Sequence, residues 1–201
     1  MILTNYQEIR DKLLSGDIVL MKGQGLISRL ILWACSICSL RPTKYSHIGI
    51  VIAKHGRVML LESTTLNGKN GVQLNALSNV LQSYKGQVVI RRLTYNRNIA
   101  FYGITHRFIE EMLGRPYEQN LLELIGATAE FVHVFDGHKN NLKTIFCSEL
   151  SSEYFKRHKF LSQSIASNEY NPDDYRLGGE VDSQFRFAPE PVCLGEEKRV
   201  K

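Results

Sequence analysis

The segment Tyr45–Ala53 (YSHIGIVIA) runs into the turn Lys54-His55-Gly56-Arg57 and then into Val58–Ser63 (VMLLES). Two apolar, β-branched runs joined by so short a polar turn predict an antiparallel hairpin. This hairpin constrains the chain more than any other feature, because its register decides which side chains meet. Ile48, Ile50 and Ile52 share one face and are expected in the core, while His47, Gly49 and Val51 share the other. If the loop holds an even number of residues, His47 falls opposite Glu62 or diagonal to it, on the same face. A loop of odd length would put the two on opposite faces. A carboxylate beside an imidazole fixes its tautomer and stabilises its charged form. Gly49, having no side chain, is expected to leave space beside that imidazole for a substrate backbone.

Cys147 follows Ile145 and Phe146 and precedes Ser-Glu-Leu, with Leu150 and Tyr154 at helical spacing. That spacing predicts a helix running to about Arg157, with the thiol in its first turn. Unpaired amides and the helix dipole favour a thiolate there, and the same amides can bind the oxyanion of an acyl intermediate. A nearby histidine would lower the thiol pKa further and could protonate a leaving group. The chain thus carries a candidate nucleophile, base and orienting residue in Cys147, His47 and Glu62. The bland alternatives are a buried structural cysteine, a satisfied core histidine and an exposed strand-end carboxylate. Of the six histidines, only His47 combines a strand start, a glycine neighbour and a carboxylate across a hairpin.

The remaining pattern is mixed. Asn5-Tyr-Gln-Glu8 has the form of a capping box opening a short helix that Gly16 ends. Asp17–Met21 and Gln87–Leu93 are predicted strands. Leu26–Leu40, Asn98–Leu113 and Asn120–Phe135 are predicted helices, and Asp136–Asn141 a polar loop. Helices flanking strands in the middle of the chain predict an α+β fold with a central antiparallel sheet packed by helices. From Gly178 onward Gly, Pro and charge dominate, and a loosely ordered tail over 179–201 is expected beyond a domain spanning 1–178.

Five segments come in a telling order: Gly16-Asp-Ile-Val-Leu20, Tyr45-Ser-His-Ile-Gly-Ile-Val51, Leu61-Glu62, Gly114-Arg-Pro-Tyr117 and Phe146-Cys-Ser-Glu-Leu150. Together they resemble the circularly permuted branch of the NlpC/P60 papain-like superfamily, the YiiX-like hydrolases. Asn171-Pro-Asp-Asp-Tyr175 resembles the Pro-Asp segment that closes that domain. The likeness covers roughly residues 14–177. Ordinary members place the cysteine before the histidine, whereas here His47 precedes Cys147, as in the permuted branch. The resemblance implies a papain-like fold and cleavage of an amide or ester through an acyl-thioester. Cys147 would be the nucleophile, His47 the base and Glu62 the third polar residue. Tyr117 would line the site and help bind the oxyanion, although an aromatic after Pro116 can equally just pack. Asp17 looks structural. A peptide, a peptidoglycan fragment or an acyl group is the implied substrate, with no cofactor. A lipid acyltransferase or thioesterase using the same Cys-His pair, or a non-enzymatic scaffold of the same shape, are the competing readings.

Composition narrows the partners. Over 201 residues, 43% are apolar and 22% charged, the formal charge is +5, and Lys and Arg are scattered. That argues for one globular domain and against a nucleic-acid partner. The four cysteines are too sparse for a disulfide scaffold. Cys35-Ser-Ile-Cys38 lies in an apolar helix without a second cysteine pair, so core packing is expected and no metal site. Gly23-Gln-Gly25 is too short for a phosphate loop, and Asp173-Asp174 after Pro172 is expected to open a turn. The first residues lack a basic region followed by an apolar run. Charges interrupt Leu26–Leu40 and Leu121–Phe135, so neither offers about 20 uninterrupted apolar residues. A cytoplasmic setting is expected, or delivery by a phage or virus, and membrane-surface contact is not.

Overall fold

The computed structural model of the chain describes residues 2–24, 42–65, 70–117, 145–186, 188 and 192–200. The predicted helices Leu26–Leu40 and Asn120–Phe135, the loop Asp136–Asn141, and Cys35 and Cys38 lie outside the described residues.

The turn is tight: His55 and Gly56 both take positive φ, 50° and 72°, and join β3 (His47–Lys54) to β4 (Arg57–Thr64). Lys54 pairs with Arg57 and Ile50 with Leu61, a register in which paired numbers sum to 111. On the other side of β3 runs β2 (Ile18–Gly23), with Ile18 across from Ile50. The sheet has seven strands in the order β1-β9-β6-β2-β3-β4-β5. The others are β1 (Ile2–Thr4), β5 (Gly71–Ala76), β6 (Gly86–Arg91) and β9 (Lys198–Val200). Every neighbour is antiparallel except the β1–β9 pair. A small second ladder joins β7 (Leu93–Thr94) to β8 (Cys193–Leu194). The fold is α+β with a central antiparallel sheet, as expected.

Both sheet faces are covered, which explains why the strands are nearly all apolar. On one face Ile18, Leu20, Ile48, Ile50 and Leu61 meet Phe101, Phe108 and Met112 of α3 (Ile99–Met112) and Leu150, Tyr154 and Phe155 of α4 (Cys147–Arg157). On the other, Val19, Met21, Val51, Leu60, Val88 and Ile90 pack with Tyr6 of α1 (Tyr6–Ile9), Leu13, and Leu77 and Val80 of α2 (Leu77–Ser83). Each fully buried Ile or Leu contributes roughly 1.5–3 kcal/mol. The end signals operate as anticipated for α3: Asn98 accepts the N–H of Phe101 at 2.9 Å, and Leu113 and Gly114 stop the helix. Asn5 caps α1 through the N–H of Gln7 at 3.0 Å, but the α-helix ends at Ile9, well before Gly16. Among the described residues no helix is long and apolar enough to cross a membrane.

The loosely ordered tail expected over 179–201 does not hold for its described residues. These carry α5 (Glu180–Phe185), β8 and β9, with β9 seated between β1 and β6. The physical reason is Arg91, which is fully buried. Its guanidinium donates to both Asp182 oxygens at 2.9 and 3.0 Å, and to the carbonyls of Tyr175, Leu194 and Gly195 at 2.8 Å each. Four of those five acceptors belong to residues 182–195. Glu197 adds a second anchor, accepting from Tyr45 Oη at 2.8 Å, Lys44 Nζ at 2.7 Å and the N–H of Leu177 at 3.1 Å.

Two predictions follow from this packing. Arg91→Ala removes the cation that pairs with Asp182, leaving that carboxylate the N–H of Gly178, and takes a donor from three carbonyls, so it is expected to lower unfolding free energy by roughly 3–5 kcal/mol in urea titrations. His158 is buried against Phe101, with ring centroids 4.3 Å apart. Burial holds its pKa down at about 4, against an ordinary 6.5. A base depressed in the folded state keeps its full stability above the unfolded value and loses it as the pH falls from 6.5 toward 4. Stability should therefore drop by about 2 kcal/mol between pH 7 and pH 5. The drop should be smaller in His158→Gln, measured by urea unfolding at both pH values.

Candidate active site

His47 is fixed before its strand begins. Asp173 Oδ1 accepts the N–H groups of Lys44 at 2.7 Å and Tyr45 at 3.1 Å, and the N–H of Ser46 donates to Met21 O at 3.0 Å. Asp173 opens the 3-10 turn Pro172–Tyr175, so the Asp173-Asp174 pair marks a turn start, as expected. Asp17 is structural too: fully buried, it lies 2.6 Å from Arg92 Nε and 2.8 Å from Arg97 Nη2.

Continuing the β3–β4 register puts Glu62 across from Gly49 and diagonal to His47 on the same face. The side chains meet: His47 Nε2 is 2.7 Å from Glu62 Oε2. Glu62 is fully buried, which rules out the exposed strand-end charge, whereas the His47 side chain keeps 18% of its surface open. Gly49 does not serve as expected. A Cβ there would come within 2.8 Å of Leu60 Cγ and Cδ1, so the leucine fills the space once assigned to a substrate backbone.

Cys147 is the first residue of α4 and is buried. The end of that helix is pinned to the sheet: Ser63 Oγ donates to Ile145 O at 2.5 Å, and the N–H of Ile145 donates to Pro116 O at 3.1 Å. Glu149 accepts the N–H of Phe146 at 3.4 Å. The His47 imidazole and the backbone N–H groups of Ile48 and Ser148 lie close enough to the sulfur to act on its charge. With Nε2 committed to Glu62, Nδ1 is the ring nitrogen left for the sulfur. The electrostatics oppose and then reinforce one another. Burial pushes the Cys147 thiol up, but the imidazolium of His47 and the two amides pull it below its ordinary value. Burial pulls His47 down, and the thiolate and Glu62 together raise it well above 6.5. Both shifts run in the direction that favours thiolate with imidazolium.

Tyr117 is carried by the Gly114–Tyr117 segment, which hydrogen-bonds to β5 through Val72 and to Ile145 through Pro116. Its ring packs edge-on against Phe146, centroids 5.7 Å apart, immediately before the nucleophile. Two neighbours escaped the sequence reading. Asn75 Nδ2 donates to the second Glu62 oxygen at 3.0 Å. Tyr84 hydrogen-bonds Ser46; burial foremost, then the nearby charges of Cys147 and Glu62, push its phenol up to about 12. The alternation Val72-Gln-Leu-Asn75 was the available signal for a third strand with Asn75 on the polar side. Nothing in the sequence marked Tyr84.

No group of three His, Cys, Asp or Glu side chains converges on a common point among the described residues. Glu62 already holds Nε2 of His47 at 2.7 Å, so this trio does not fit a metal centre without breaking that pair.

No family model matches the sequence, and no curated protein does. The likeness lies in the fold, which is a YiiX-like α+β fold. It is similar to the crystal structure of the metalloprotein YiiX from Escherichia coli O157:H7, a DUF1105 protein, at 17% identity and a TM-score of 0.50. The similarity covers 72% of this chain and 65% of that one, so the chain spans less than two thirds of YiiX.

Removing the charge of Glu62 tests the electrostatics directly. Glu62→Gln is expected to lower the His47 pKa and raise the alkylation midpoint of Cys147 by about one pH unit, read from iodoacetamide rates across pH.

Proposed function

We propose that the chain is a cysteine hydrolase of the permuted NlpC/P60 papain-like type, cleaving an amide or ester bond through an acyl-thioester on Cys147. The observation that carries this reading is the row Cys147–His47–Glu62, with the thiol at a helix N-terminus and the carboxylate 2.7 Å from the imidazole. The Cys147 thiolate attacks the carbonyl carbon, and first-turn amides of α4 are the donors available to the developing oxyanion. His47 gives its proton to the leaving amine or alkoxide, and the acyl group stays on sulfur. His47, now neutral, takes a proton from water; the hydroxide adds to the thioester, and the thiolate leaves with the acid released. Glu62 holds the ring and offsets its positive charge throughout. Tyr117, packed edge-on against Phe146 just before the nucleophile, is the candidate second oxyanion donor.

The substrate class consistent with this chemistry is a peptide, a peptidoglycan fragment or an acyl ester. YiiX is described as a metalloprotein, but no step here is routed through a metal, because the donor row does not fit one. Acyl transfer to a lipid acceptor rests on the Leu26–Leu40 segment, outside the described residues, and a scaffold role would leave the thiol ordinary.

Incubation with activated acyl esters and peptide amides, followed by mass spectrometry of the intact chain, tests the reading. An acyl adduct confined to Cys147 that decays to free acid is the expected result. Cys147→Ala should abolish it and His47→Ala slow it by about 100-fold or more. Transfer of the acyl group to an added alcohol or amine in preference to water would favour the transferase. No adduct, together with a slow alkylation rate that ignores His47, would end the enzyme reading.

A further inference from the structure

Glu62 is fully enclosed, and a buried carboxylate needs a donor at each oxygen. His47 serves Oε2, and Asn75 Nδ2 serves Oε1 at 3.0 Å. Asn75 reaches it from β5, where the register sets Asn75 opposite Leu60 and diagonal to Glu62 on the same face. Gln73 lies directly across from Glu62, yet its Nε2 donates to Thr64 O at 3.2 Å. The polar row therefore crosses three neighbouring strands and ends in a neutral amide.

We propose that Asn75 is a positioning residue for the thiol chemistry: acting through Glu62, its side-chain amide fixes the carboxylate that holds His47 toward Cys147. This rests on the cysteine-hydrolase reading. The choice of amide has a physical reason. A Lys or Arg at this place would neutralise Glu62 and weaken its pull on the imidazolium. A carboxylate would oppose like charge at contact distance. A primary amide secures one oxygen and leaves the full negative charge for His47.

The test is the pH dependence of Cys147 alkylation in the full chain, with urea unfolding alongside. The variants are Asn75→Ala, Asn75→Asp, Glu62→Gln, and Glu62→Gln combined with Asn75→Ala. Asn75→Ala should slow alkylation at pH 6 on the order of ten-fold and move the thiol midpoint upward. Asn75→Asp, nearly the same shape, should move it further. In the Glu62→Gln background Asn75→Ala should add nothing, because the two act as one unit. An unmoved midpoint in either folded Asn75 variant, or additive effects in the double variant, would overturn the proposal. Where Asn75→Ala fails to fold, Asn75→Asp decides alone. An unmodified chain whose thiol is ordinary and indifferent to His47→Ala would overturn the hydrolase reading and this inference with it. An activated, His47-dependent thiol that ignores Asn75 would overturn this inference alone.

Discussion

A slip of one residue between β3 and β4 would carry Glu62 to the opposite side of the sheet from His47. It would also exchange Leu60 and Leu61 between two different cores. The two-residue turn at His55-Gly56 prevents both, since its paired positive φ values close the hairpin without a bulge. Site and core thus share one constraint. The same register that sends Ile50 and Leu61 under α4 brings a carboxylate to the imidazole, and it lets Leu60 settle over Gly49, where any Cβ would collide.

The charges at the site are tolerable in a buried place only as a set. Glu62 alone would be a costly buried anion, and a lone imidazolium equally so. Ordered as thiolate, imidazolium, carboxylate and amide, each group meets either the opposite charge or a donor. The helix supplies further compensation through the Ser148 amide in its first turn, and β3 adds the Ile48 amide. Position matters as much as charge here. Ser63 and Pro116 grip Ile145 from two sides, so the start of α4 is set by the sheet rather than by the helix itself.

Much of this was legible beforehand. β3, β4, α3 and α4 announced themselves through apolar period, turn chemistry and capping, and the parity of the hairpin brought His47 and Glu62 together on paper. The polar row beyond Glu62 was hidden because the alternation in Val72–Asn75 marks a strand without naming the partner of its polar positions, here a buried carboxylate on β4. Gly49 was misread because the space over a glycine belongs to whatever neighbour fills it, here Leu60 from the partner strand. The tail was misread for a related reason. Its composition is that of a loop, and it is held chiefly by a buried arginine about a hundred positions earlier, a contact that sequence proximity cannot reveal.

The position of β9 governs how the sheet can be assembled in time. Among the described residues β1, at residues 2–4, pairs in the sheet with β9, at residues 198–200, in a parallel ladder that spans nearly the whole chain. Synthesis proceeds from the amino terminus, so β1 must wait without a partner while β2 to β6 form and the nucleophile's helix docks. Loop closure over such a separation is entropically slow, and parallel pairing slower still. The hairpin that carries His47 and Glu62 is local and can form early, whereas the edge of the sheet closes last. During that interval β6 presents an unpaired edge to the cell, a strand-sized opening that a chaperone or another nascent chain could occupy before β9 arrives.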